Sequence, residues 1–229
     1  MIDGFDIKEY YLHGLDQSLS NFNKEILKFS EKEQEEYKLL FKHFEDTNGS
    51  PTTSTTDKGK ALEDIVTFIF EKSVIFEIHK NVRTSSNEID LLIRLNKRGQ
   101  FLKAQGLVDF RNNLLSECKN YNKTIGVTWV GKFFSLLVST ENELGIIFSY
   151  KGLTGSSWNN ATGLTKKFFL KTKHIILDFN IYDFALLNEN HSLIDILNNK
   201  IFQLQNDTNI SLEVSEHPAQ LLFKKKDYI

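Results

Sequence analysis

The chain has one cysteine, Cys118, so it holds no intrachain disulfide and no multi-cysteine zinc site of its own. That scarcity points to a reducing compartment. Proline is almost missing too, with Pro51 and Pro218 alone, and glycine stops at twelve. A chain of 229 residues so poor in both is not loop-dominated. No apolar run approaches the roughly 18 residues of a membrane span. The opening Met1-Ile-Asp-Gly-Phe-Asp6 lacks the basic start and apolar stretch of a secretory signal. A cytoplasmic protein without membrane contact is expected. Excess charge of one sign is also lacking: the net value is −2 at pH 7, so no global positive field advertises nucleic acid. The six histidines are dispersed, without metal-ligand spacing.

What is there is ordinary globular material, 40% hydrophobic and 25% charged. The even charge hides a split. Residues 1–50 carry eleven acids and six bases, the remainder nineteen and twenty-two. The first fifth is acidic and the rest mildly basic, which permits a nucleic-acid substrate without demanding one.

Apolar residues recur at helical spacing over 16–45, at Leu19, Phe22, Ile26 and Phe29 and again at Tyr37, Leu40, Phe41 and Phe44. The charged stretch from Glu31 to Glu36 reads as a solvated face or a helix start. Residues 47–57 are small and polar throughout and read as a linker or exposed loop. Division is therefore expected into an acidic helical extension with its linker (1–57), a main domain (58–205) and a tail (206–229). In the main domain Leu62, Ile65, Val66, Ile69 and Phe70 form one helix face. Strands are expected at 73–78, 88–95, 114–121, 145–150 and 174–179, and helices at 126–138, 158–171 and 183–204. The order predicts an α/β fold, a central mixed sheet flanked by helices.

The chemistry concentrates in Leu115-Ser-Glu-Cys-Lys-Asn-Tyr121. Alternation along a strand puts Glu117 and Lys119 on one face. With Cys118 turned to the core as a small hydrophobe, a carboxylate and an ammonium project together near the strand's end. Such a pair is costly to desolvate without partners. In Asn87-Glu-Ile-Asp-Leu-Leu-Ile-Arg94, Asp90 interrupts a run made for burial; Ile89, Leu91 and Ile93 share one face, Asp90 and Leu92 the other. Glu63 stands in the first turns of the helix that carries Leu62, beside its apolar face. Three carboxylates brought close repel unless a divalent cation neutralises them. Oxygen donors without a histidine cluster or cysteine pair favour Mg²⁺ or Mn²⁺.

Helix-Glu, strand-Asp, strand-Glu-x-Lys resembles the PD-(D/E)XK nuclease superfamily. Glu117-Cys-Lys-Asn-Tyr121 followed by Ile125-Gly126 and a helix is similar to its Mrr-like restriction endonucleases, as is Gly145-Ile-Ile-Phe-Ser-Tyr-Lys-Gly-Leu-Thr154 before a further helix. The resemblance spans residues 58–180. It implies a restriction-endonuclease-like sheet and Mg²⁺-dependent hydrolysis of DNA phosphodiesters, with Mn²⁺ as a substitute. Asp90 and Glu117 would be metal ligands, the Cys118 backbone carbonyl a further ligand, Glu63 the helix-borne acid that supports metal or water, and Lys119 the catalytic lysine. It further implies a homodimer, for cutting both strands, and a restriction or antiviral defence role. The acidic N-terminal helices are open to dimerisation, to a partner protein or to shielding the DNA face.

The match departs from the pattern in three places. Ile89, not proline, precedes Asp90. The spacing to Glu117 is long, with Asn96-Lys-Arg-Gly-Gln100 read as a hairpin tip. Residues 101–113 are then an insertion, and its Asp109 competes for the ligand role; Asp90 is preferred because it lies in an apolar strand. Two rival functions use the same residues: a catalytically inactive nuclease fold that binds DNA or protein, and a structure-specific junction resolvase. Gly126-Val-Thr-Trp-Val-Gly-Lys132 imitates a phosphate-binding loop, but Phe133 stands where a Ser or Thr must meet Mg²⁺, so Trp129 and Phe133 are assigned to packing. Thr154 to Ser157 is read as a helix cap, Lys166 to Lys173 as a solvated helix end, Lys224 to Lys226 as a solvated tail, and Phe101, Phe110, Phe133, Phe134, Phe148, Phe168 and Phe169 as core.

Overall fold

A computed structural model describes residues 27–83, 88–111, 113–121, 123–155 and 158–206, the side chains of 81–90 excepted. The expected helix before residue 27 and the tail beyond 206 lie outside the described residues.

Helix α1 (Glu31–Gly49) starts where its sequence directs: the Glu33 N–H donates to Ser30 Oγ while the Glu33 carboxylate accepts from the Ser30 N–H at 3.0 Å. The acidic stretch is thus a helix start, favoured by the helix dipole. Tyr37, Phe41 and Phe44 form its buried face, and the Tyr37 hydroxyl donates to the Phe184 carbonyl at 2.8 Å. The polar stretch 47–57 is less of a loop than its composition predicts. α1 runs to Gly49 and α2 (Thr55–Lys72) begins with Ser54 accepting from the Asp57 N–H, which leaves residues 50–54 as connection. Small polar residues serve helix ends as well as linkers.

Strands β1 (Phe76–Arg83), β2 (Glu88–Leu95), β3 (Asn113–Cys118), β4 (Leu144–Phe148) and β5 (Ile175–Phe179) form one sheet in sequence order. β1, β2 and β3 run antiparallel to one another; β3, β4 and β5 are parallel. The parallel steps need crossovers, supplied by α4 (Val127–Ser139) and α5 (Ala161–Thr172). The sheet is therefore mixed and flanked by helices, as predicted.

Each sheet face has its own core. Leu62, Ile65, Val66, Ile69 and Phe70 of α2 meet Leu91, Ile93, Leu114, Ile146, Phe148, Leu177 and Phe179, joined by Tyr37, Phe41 and Phe44 of α1. Each fully buried side chain of that kind contributes roughly 1.5–3 kcal/mol. On the other face Leu115, Ile147 and Ile176 meet Val130, Phe133 and Leu137 of α4. Gly145 permits that docking, since a Cβ there would overlap the Phe133 ring.

Three expectations are corrected. Residues 96–100 form no hairpin tip: Asn96 caps helix α3 (Lys97–Ala104), its Oδ1 accepting from the N–H groups of Arg98 and Gly99. An asparagine acceptor suits a turn and a helix start equally, and the sequence pattern alone did not separate them. The 183–204 segment is two helices, α6 (Ile181–Asn188) and α7 (Leu193–Asn206), broken at Asn190 with φ 66° and restarted where Ser192 Oγ accepts from the Ile194 N–H. Phe101 is exposed at 58%, not core.

Two predictions follow from this packing. Gly145→Ala should destabilise the protein by about 1–3 kcal/mol, because Phe133 must yield; an unchanged urea midpoint would contradict the close fit. Asp183, buried at the start of α6, has its carboxyl pushed above its ordinary 3.8 by burial, against the lowering pull of Lys200 Nζ at 2.9 Å. A raised folded-state value means this group favours folding below its unfolded value, and that contribution is lost as pH rises through the raised one. The urea midpoint of Asp183→Asn relative to wild type should therefore increase from pH 4 to pH 7; a decrease over that range would reverse the assigned sign.

Candidate functional site

β3 sorts its side chains by pleat. Leu114 enters the α2-side core with Cys118 packed against it, and Leu115 enters the α4-side core. Glu117 has the parity of Leu115 and so belongs to the α4 face. Lys119 lies just beyond the strand. Its N–H donates to the Phe148 carbonyl at 2.8 Å, which carries the ladder one residue further and keeps Lys119 beside Glu117. The Lys119 ammonium meets Glu117 Oε1 at 2.5 Å, the two side chains 21% and 17% exposed. The pairing expected from Glu-x-Lys is present, in a setting too shielded for a freely screened surface pair.

Both groups line a cavity of about 270 Å³ between the end of β3 and α4. Trp129, Lys132, Phe133 and Leu136 project into it from one helical face, and Ile125 and Ile147 complete the wall. The ammoniums of Lys119 and Lys132 stand 5.3 and 4.7 Å from the Trp129 ring centre, and Tyr121 packs on the same indole at 5.9 Å. Such contacts hold a cation over the ring quadrupole without neutralising it.

Asp90 lies within β2, the strand expected for it, and its side chain is outside the described residues. The register is defined up to it: Leu92 faces Leu115 and Leu91 faces Ser116. Asp90 and Glu117 are the next residues along their strands after that last pair. Glu63 stands on the exposed flank of α2, next to buried Leu62, and is not part of the cavity wall. Among the described residues, no three His, Cys, Asp or Glu side chains gather as a metal cage. The acid of the cavity wall is Glu117, with no imidazole or thiol beside it, and carboxylate oxygens are the donors that a hard dication takes. Asp109 precedes β3, at the end of the strand away from Glu117.

Sequence reasoning missed Lys132 and half of Trp129. The sequence resembling a phosphate loop is a helix start with Gly126 at the cap, as expected, and Phe133 is packing. Trp129 does more than pack, since it also holds two lysines. The available signal was the i, i+3, i+4, i+7 spacing of Trp129, Lys132, Phe133 and Leu136, which puts a lysine on an otherwise apolar face. The helix cap expected at 154–157 stands instead at Asn160, which makes no side-chain cap bond; Thr154 Oγ1 accepts from the Ala161 N–H at 3.1 Å from outside the cap position. Asp178, on the same sheet face two strands from Glu117, was also missed. Its Oδ2 accepts from the Leu153 N–H and the Asn180 amide, so that oxygen fastens a loop.

Comparison with protein families, curated proteins and solved structures returned no match.

Asn120, buried directly after Lys119, anchors the site from behind. Its amide donates to the Lys58 carbonyl at 2.6 Å and ties the end of β3 to the first turns of α2. Asn120→Ala should cost about 1–2 kcal/mol in urea unfolding; no loss would show that this bond does not hold the Lys119 segment.

Proposed function

We propose that the Glu117–Lys119 cavity is the active site of a metal-dependent DNA endonuclease of the Mrr-like PD-(D/E)XK type. One observation carries the reading: Glu117 and Lys119 pair at 2.5 Å on a cavity rim, and the neighbouring strand that carries Asp90 is in register with β3 up to Leu91 opposite Ser116. Acidic residues carried close together by adjoining strands repel, and a shared dication removes that cost. The helix bearing Glu63, the strands bearing Asp90 and Glu117, and a mixed sheet flanked by helices support the same assignment.

In this reading Asp90 and Glu117 hold Mg²⁺ or Mn²⁺, with the Cys118 carbonyl as a further ligand. When bound, such an ion lowers the pKa of its water and stabilises charge on a phosphoryl oxygen. Lys119, held by Glu117, orients the attacking water or stabilises the negative charge that develops on the phosphate. Glu63 lies outside the cavity wall, and this chemistry does not use it. The apolar wall of Ile125, Phe133, Leu136 and Ile147 limits bulk water behind the reacting groups. Cutting both strands of a duplex takes two such sites and hence two chains, which suits a restriction or phage-defence effector.

The test is conversion of supercoiled plasmid to nicked and linear forms with Mg²⁺, Mn²⁺ or EDTA. Wild type should cut with either metal and not with EDTA. Asp90→Ala and Lys119→Ala should lose at least about 100-fold in rate, with Lys119→Ala still binding DNA. Equal inertness of wild type and Lys119→Ala with both metals would leave a binding module in place of an enzyme.

A further inference from the structure

The cavity holds a second lysine that the hydrolytic chemistry above does not use. Lys119 is engaged with Glu117. Lys132 stands one helical turn beyond Trp129, exposed, its ammonium 4.7 Å from the indole centre. No carboxylate pairs with it among the described residues. The indole restricts where both ammoniums sit while leaving their charge and N–H donors available. Glu117 is the acid of the described wall, against two lysines. The rim therefore offers a positive charge at a fixed place beside the reacting groups, which is what a nucleic-acid backbone recognises.

We propose that Lys132 binds a phosphate of the DNA substrate, and that Trp129 is the positioning residue that holds Lys132 and Lys119 beside one indole at the cavity rim. The assignment rests on the reading of this cavity as a phosphodiester site. Lys132 supplies register on the strand; it takes no proton and contacts no reacting atom.

The test is fluorescence anisotropy of a 5′-fluorescein-labelled 20-nucleotide DNA, single-stranded and duplex, in EDTA over a range of salt. Lys132→Ala should weaken binding about five- to tenfold at low salt and lower the slope of log K against log salt by about one. Lys132→Arg should restore most of both, and Trp129→Ala should weaken binding with both lysines intact. In single-turnover cleavage, Lys132→Ala should raise the DNA concentration needed for half-maximal rate by a larger factor than it lowers the maximal rate, which separates backbone binding from chemistry. Circular dichroism melting checks that each variant folds. Lys42→Ala, on exposed α1, is the comparator for simple loss of charge. Unchanged affinity and slope in Lys132→Ala, or an equal loss in Lys42→Ala, overturns the inference. If wild type never cleaves DNA yet Lys132→Ala alone loses binding, the phosphate contact stands and the nuclease reading falls.

Discussion

β3 must be dry through its middle and charged at its end. Leu114 and Leu115 point into two different cores, and Ser116 between them and Glu117 is also buried. A strand enclosed on both faces cannot slip by one residue, because the slip would exchange the two cores' side chains. That locked register gives Glu117 a defined address on the α4 face and keeps Lys119 beside it. The chemistry proposed for the cavity depends on this constraint more than on any single hydrogen bond.

The α4 face is built to leave room. Gly145 lets Phe133 approach the sheet, and Val130, Phe133 and Leu137 close the core behind it. Toward the end of β3 the same helix presents Trp129 and Lys132, and the packing opens into a cavity. One side of α4 therefore seals while an adjoining stripe lines the site. The opposite sheet face carries the larger core, closed by α1 and α2, whose aromatic residues supply a rigid backing. Asn120 couples that backing to the site through the Lys58 carbonyl.

Much of the scaffold was legible in the residues. The α2 face, the strand-like run around Asp90, the pairing of Glu117 with Lys119 and the inward turn of Cys118 all came from periodicity. The misreadings have a common cause. Asn96, the 47–57 stretch and residues 189–192 are rich in groups that cap helices and also make turns, and local chemistry does not choose between the two. Trp129 is a different case: an aromatic at helical spacing reads as core, Lys132 is the one polar member of that pattern, and Lys119 arrives from outside it.

The sequence by itself determined that this chain folds as an α/β protein and that Glu117 and Lys119 share a strand face, because pleat and helical period are properties of neighbouring residues. Only the tertiary structure decided which helix covers that face, that Lys132 meets Lys119 over one indole, that the strand carrying Asp90 pairs with the strand carrying Glu117, and that Asp178 fastens a loop. Those relations join residues far apart in the chain, and they are set by how two cores pack against one sheet.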